Sequence, residues 1–313
     1  MHMDGNDRVA EFILELDWND LSVGVQQQAR QCLLEVLGAT LAGTSTPVSH
    51  IAAETAVSLW RGDAATIFLY GKRVRAPGAA FANACAADAL DIDGVANFTR
   101  GHPGALLLPT ALAVGEELGA NGVALLESLV IGYEVAARAG RCWHADHEIY
   151  QSSGSWGSLA CAAVAARLRG LDHAQVKHAL GIADYHAPNA PVMSAIRNPA
   201  MVRHAAGWGA MNGVVSAELA QRGFTGIPSL LGFDAYREWV LDIGEKYWMT
   251  DWANYDSGIV ECDAEHWSQP LLEDKFRRLV GNIRPSEEVT QLINLVRAFE
   301  NLENVRQFTH LLQ

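Results

Sequence analysis

The stretch ALDIDGVANFTRGHPGALLLPTALA, residues Ala89–Ala113, falls into three parts. An apolar run ends at Asp91 and Asp93, a polar loop follows, and His102-Pro103-Gly104 opens a second apolar run. Proline suits the first turn of a helix, where its missing N–H costs nothing. The reading is therefore helix, loop, helix, with two carboxylates and an imidazole in the loop. Loops held by a rigid scaffold are where reactive groups concentrate.

Outward from this point the apolar periodicity is helical almost throughout. Towards the N-terminus it predicts helices over Val9–Leu16, Ser22–Leu41, Val48–Trp60 and Ala79–Leu90, with Cys32, Leu33, Val36 and Leu37 on one face of the second. Ala65–Arg75 breaks the pattern and reads as a small β-hairpin turning at Tyr70-Gly71-Lys72. Beyond the loop, helices are expected over Ala105–Leu118, Gly122–Gly140, Gly157–Arg169, His173–Ala183 and Met201–Arg222, with Asp172 as an N-cap. Ala235–Leu241 reads as a short helix, and Pro270–Val280 and Ser286–Leu312 as longer ones. Ala, Gly and Ser are frequent on these helices, so their axes can approach closely. The fold class is all-α: a large helical bundle with one hairpin and C-terminal helices packed back on it. An aromatic, aperiodic stretch at Lys246–Gln269 places a boundary near residue 255, giving a helical domain over 1–255 and a smaller piece over 256–313. That piece is too small to fold alone.

The formal net charge of −13 argues against nucleic acid and anionic membranes as partners. No apolar run reaches the roughly 18–20 residues of a membrane span. No signal peptide is expected at the N-terminus, and the five cysteines lack a CxxC pair, which points to free thiols in a reducing, cytoplasmic setting. Neither a nucleotide-binding glycine pattern nor a GxSxG elbow occurs, so neither nucleotide use nor a serine nucleophile of that kind is expected. His144 and His147 have the spacing of a metal pair but lack further ligands nearby, so no metal is expected. The Ser152-Ser153-Gly154-Ser155 run before a helix could hold an anion on backbone N–H groups.

Five segments, in order and spacing, resemble the MmgE/PrpD family, which includes 2-methylcitrate dehydratase. They are the opening DRVAEFILELDWNDLSVGVQQQARQCLLEVLGATLAGT, the hairpin, the ALDIDG…GHPGALLLPTALA block, SGSWGSLACAAVAARLRGLDHAQVKHALGIA, and MVRHAAGWGAMNGVVSAELAQRGFTG. The match covers about residues 7–245, and the ending from Lys275 onward resembles the family's C-terminus. The resemblance implies an all-α first domain carrying a homodimer contact. It also implies an α+β second domain over the active site, inserted before the last helices. Only the segment around Tyr247–Gln269 stands where that domain belongs, too short for one. Closure is then expected from the partner subunit or from Tyr247–Trp267.

The resemblance implies cofactor-independent chemistry on small di- and tricarboxylates: dehydration, decarboxylation, epimerisation or isomerisation. Asp91 matches the family's loop acid and is the candidate general base, with Asp93 beside it as a substrate-binding candidate. His102 matches the family's His-Pro histidine and can exchange a proton near neutrality. Arg203 falls where the family usually has Lys; a guanidinium stays cationic, so it reads as a carboxylate anchor. His186 and Arg197 lie in a loop where dehydratase-like members carry a His and an Arg. Gln151 sits where many relatives have His and could orient a carboxylate or hydroxyl. The expected function is a dehydratase-type lyase on a small hydroxy polycarboxylate. The alternatives are an isomerase, epimerase or cyclase on the same scaffold, and a non-catalytic dimeric binding protein.

Overall fold

The computed structural model describes residues 4–250 and 268–313. The boundary near residue 255, Cys262, His266 and most of the Tyr247–Trp267 segment lie outside the described residues. The architecture is all-α with one two-stranded sheet among them. In chain order, α1 is Gly5–Glu15, α2 Val23–Gly43 and α3 Pro47–Leu59; the hairpin strands are β1 Arg61–Ile67 and β2 Lys72–Val74. Then come α4 Ala76–Asp88, α5 Gly104–Leu118, α6 Gly122–Asp146, α7 Ser153–Arg169, α8 His173–Tyr185 and α9 Val192–Arg197. The remainder is α10 Ala206–Gln221, α11 Arg237–Val240, α12 Gln269–Val280, α13 Ser286–Arg297 and α14 Arg306–Thr309. No helix among the described residues is long and apolar enough to cross a membrane.

Helix α7 is the central post, packed against α5, α6, α8 and α10. Its face is small: a Cβ on Gly213 of α10 would lie 2.3 Å from the Cys161 Cβ, so only glycine lets these two helices come so close. Asp172 caps α8 as expected, in a full capping box with Gln175. The hairpin pairs Thr66 with Arg73 and Ile67 with Lys72. It is held to the bundle by Glu116, which accepts from the Thr66 amide and hydroxyl, each at 2.8 Å. The C-terminal helices join the same buried cluster: α12 packs on α2, and the Leu69 amide donates to the Leu312 carbonyl at 2.7 Å.

Three expected elements end elsewhere, each through long-range contacts. The helix expected from Met201 begins at Ala206, because Arg203 and Ala205 take left-handed conformations and the His204 carbonyl is used by the Gly154 amide at 2.9 Å. Helix α7 starts at Ser153, four residues before the expected Gly157, so the serine run is its cap and first turn. The continuous helix expected over Ser286–Leu312 stops at Arg297. There the Leu302 carbonyl accepts from the Gly122 amide at 2.8 Å and the Val305 amide donates to the Ala120 carbonyl at 2.8 Å, which ties the chain to the α5–α6 turn. Helix α9 forms within the Pro/Asn-rich loop where the sequence predicts none.

Candidate functional site

Two loops meet over the N-terminus of α7. The first, between α4 and α5, carries Asp91, Asp93, Arg100 and His102; the second, before α10, carries Arg203 and His204. Asp88, the last residue of α4, joins them. Its carboxylate accepts from the His204 amide at 3.0 Å and contacts His204 Nδ1 at 2.6 Å, and its carbonyl accepts from Arg203 Nε at 3.2 Å. Both loops are strained. Among the described residues, four of the five non-glycine residues with positive φ lie here: Asp91, Arg100, Arg203 and Ala205. Such backbone persists only where surroundings over-determine it, and it clusters at functional sites.

His102 lies at the centre. Its Nε2 is 3.2 Å from Asp91 Oδ1 and its Nδ1 is 3.1 Å from Asp93 Oδ1. Its amide donates to Ser153 Oγ at 2.9 Å. Its ring stacks on His204 with centroids 4.8 Å apart. Asp91 Oδ2 lies 3.3 Å from Arg203 Nη2. Asp93 is buried, and its oxygens have no hydrogen-bond partner among the described residues, so the imidazole charge is what compensates it. Burial by itself lowers the His102 pKa, but the Asp93 charge and the contact with Asp91 outweigh it and raise it to about 11. Contact with His102, against the cost of burial, holds the Asp91 carboxyl well below the usual carboxylate range, helped by the charges of His204 and Arg203.

Asp91, Asp93, His102 and Arg203 are thus brought together. Arg203 comes from a turn rather than from the expected helix. A cavity of about 280 Å³ opens beside His102, lined also by Arg100, Tyr150, Ser152, Ser153 and His204. Arg203 opens instead onto a neighbouring cavity of about 270 Å³ with Asp88, Cys85 and Trp208.

The other three candidates lie elsewhere. Gln151 is buried and clamps the 187–191 loop, accepting from the Ala190 amide at 2.8 Å and donating to Asn189 Oδ1 at 3.1 Å. His186 is exposed at the end of α8, its Nδ1 3.0 Å from the Ile182 carbonyl, and Arg197 is exposed at the end of α9. None of the three lines the cavity beside His102. His144 and His147 are engaged separately, His144 by the Thr99 carbonyl at 2.7 Å and His147 by stacking on Trp143.

Asp88 and His204 escape sequence reasoning. The available signal was adjacency: His204 follows Arg203, and Asp88 closes the apolar helix before Asp91. Ligand atoms of Asp91, His102 and His204 lie within 4.8 Å of one another, a spacing a cation could bridge. Yet both His102 nitrogens already face carboxylates, Arg203 sits on Asp91, and His204 Nδ1 faces Asp88, so each of the three acids here already has a partner. Burial pushes the thiols of Cys32, Cys85, Cys142 and Cys161 up to about 12, which leaves them inert as nucleophiles.

A profile of the MmgE/PrpD N-terminal domain matches residues 7–235. The chain is 29% identical to human cis-aconitate decarboxylase over 272 residues, which covers 83% of this chain and 53% of that protein. It is 27% identical to the cis-aconitate decarboxylase-like protein oryM of Aspergillus oryzae over 229 residues, covering 70% and 47%. It is 28% identical to the mouse cis-aconitate decarboxylase over 244 residues, covering 72% and 48%. The chain spans about half the length of the curated relatives it matches.

Proposed function

The chain belongs to the MmgE/PrpD family, and on that premise we propose that it is a lyase acting on a small polycarboxylate, with His102 as the proton donor. The observation that carries the proposal is the imidazole clasped between Asp91 and Asp93 and kept cationic by them. Removing carbon dioxide from a carboxylate, or water from a hydroxy acid, leaves an electron pair or a hydroxide that must take up a proton. A donor loaded throughout the neutral range, at the edge of a cavity, supplies it. A carbanion is far more basic than imidazole, so the raised pKa does not prevent the transfer.

Decarboxylation needs no further base: the C–C bond to carbon dioxide breaks, and the carbon takes the His102 proton. The names of the matched relatives favour this branch. Dehydration also needs a base at carbon. Asp91, held so far below the usual range, binds a proton weakly. The proposal therefore gives that role to His204, whose Nδ1 is turned to Asp88 and whose Nε2 has no hydrogen-bond partner among the described residues. Asp91 and Asp93 then act as positioning counter-ions of His102. A second reading rests on the stacked His102–His204 pair: removal and return of a proton at one carbon would make the protein an isomerase or epimerase. Homodimeric assembly and a cytoplasmic location belong to the same proposal. Exposed Ile51, Met201, Val202 and Trp208 support the former by leaving apolar surface for a second copy.

The test is turnover of cis-aconitate, citrate and 2-methylcitrate followed by NMR in D₂O. Loss of carbon dioxide or water is expected, and a kcat about 10²-fold lower or more in His102→Gln and Asp91→Asn. Deuterium uptake with no mass lost selects the isomerase reading. Wild-type rates in His102→Gln remove His102 from the chemistry.

A further inference from the structure

We propose that Arg100 and Ser152 form a carboxylate subsite at the N-terminus of α7, holding one end of a di- or tricarboxylate in the cavity while the other end meets His102. The proposal rests on the polycarboxylate reading and names the residues that select for it.

The first observation is a hydroxyl with nothing to do. Ser152 stands at the N-cap of α7, where a serine normally accepts from an amide of the first turn. Here it makes no such bond. The Gly154 amide goes to the His204 carbonyl at 2.9 Å and the Ser155 amide to the Ser152 carbonyl at 3.0 Å. Ser152 is 3% exposed, lines the cavity, and its Oγ has no partner among the described residues. A buried polar atom left unpaired costs stability unless something binds it. At the N-terminus of a 17-residue helix, the complementary partner is an anion.

The second observation is independent. Arg100 lines the same cavity, and its guanidinium has no ion pair or hydrogen bond among the described residues. In a chain with 36 acids against 23 lysines and arginines, this exposed guanidinium at the cavity edge is left unclaimed by any carboxylate of the described residues and so is available to a visiting one. Its backbone is held in the left-handed region, at φ 49°, with its carbonyl taken by the Tyr150 hydroxyl. The next residue is glycine, Gly101, where a Cβ would lie 2.6 Å from Ser153 Oγ and 2.9 Å from the buried Trp156 ring. The strained turn therefore seats the loop on the α7 cap and keeps Arg100, Ser152 and His102 around one space. A guanidinium fork and a hydroxyl suit the planar carboxylate, and the adjacent imidazolium is placed for the reacting end.

The experiment is calorimetric titration of tricarballylate, a saturated tricarboxylate with no hydroxyl to lose, with acetate as the control. Wild type is expected to bind tricarballylate and to ignore acetate at the same concentrations. Arg100→Gln should weaken binding about tenfold or more, and Arg100→Lys by less. Ser152→Ala should weaken it about threefold or more while leaving the melting temperature unchanged or higher, because it deletes an unpaired buried atom. A merely structural serine would lower the melting temperature without affecting affinity. Wild-type affinity in both Arg100→Gln and Ser152→Ala, or no tricarballylate binding by wild type at millimolar concentration, overturns the subsite. Because tricarballylate does not react, its binding is measured independently of turnover. Loss of activity in His102→Gln with wild-type tricarballylate affinity in Arg100→Gln and Ser152→Ala sinks the subsite alone; weakened binding without turnover of any polycarboxylate sinks the lyase reading alone.

Discussion

At His102 two carboxylates hold one proton in place. Asp91 and Asp93 both appear in the sequence as acids at a helix end, and His102 as a helix-entry histidine. Nothing in their spacing says that one acid faces Nε2 and the other Nδ1. That is decided by the folded path of the loop, whose backbone is left-handed at Asp91. The pKa directions carry a signed consequence. His102 is raised, so its contribution to stability is complete below the ordinary value of 6.5 and is lost progressively as pH rises from there through about 11. Asp91 is lowered, so its contribution is complete above 3.8 and is lost as pH falls through its folded value. Around neutrality the folded pair therefore keeps its charges, while its contribution to stability declines as pH rises above 6.5. In an NMR titration the His102 ring protons are expected to stay in the charged position from about pH 6 to 9, below the raised value. Asp93→Asn should bring their midpoint down towards 6.5, and a midpoint near 6.5 in the wild type would show that the clasp does not charge the ring.

At the scale of elements, what holds the site comes from far along the chain. Lys275, on α12, donates to the Ile92 carbonyl at 2.6 Å and pairs with buried Glu35 of α2; the Gly94 amide donates to Glu35 at 3.2 Å. Ile92 lies between Asp91 and Asp93, so this one amine fixes the turn that aims both carboxylates. Lys275→Met leaves Glu35 buried without its counter-ion. Because the amine is partly exposed, the expected loss is about 2–3 kcal/mol by urea denaturation, below the roughly 3–5 kcal/mol of a fully buried pair. It should be accompanied by a drop in activity that Lys275→Arg partly restores. A loss under about 0.5 kcal/mol would show that the pair contributes no more than a surface bridge. Local signals marked the helices where they sufficed, as with the Asp172 cap and the Gly119 and Gly170 ends of α5 and α7. They missed the starts of α7 and α10, whose first amides and last loop carbonyls are used by each other.

For the molecule as a whole, the C-terminal helices belong to the same buried cluster as the bundle. Phe276, Val280, Ile293, Phe299 and Phe308 are each at most 1% exposed. Burying each contributes about 1.5–3 kcal/mol, together comparable with the ~5–15 kcal/mol by which a domain is usually stable. A chain truncated after residue 250 is therefore expected to lack a cooperative thermal transition and to bind ANS. A sharp melt within a few degrees of the parent would show that residues 4–250 fold alone. The sequence by itself determined the helical class, the hairpin, the family, and the loop in which acid and imidazole sit, because apolar periodicity, turn residues and caps act over neighbouring positions. Only the tertiary structure decided that His204 and Asp88 complete the cluster, that Gln151, His186 and Arg197 lie away from it, and that Arg203 opens to another cavity. Those outcomes depend on contacts between loops more than a hundred residues apart, which no local pattern encodes.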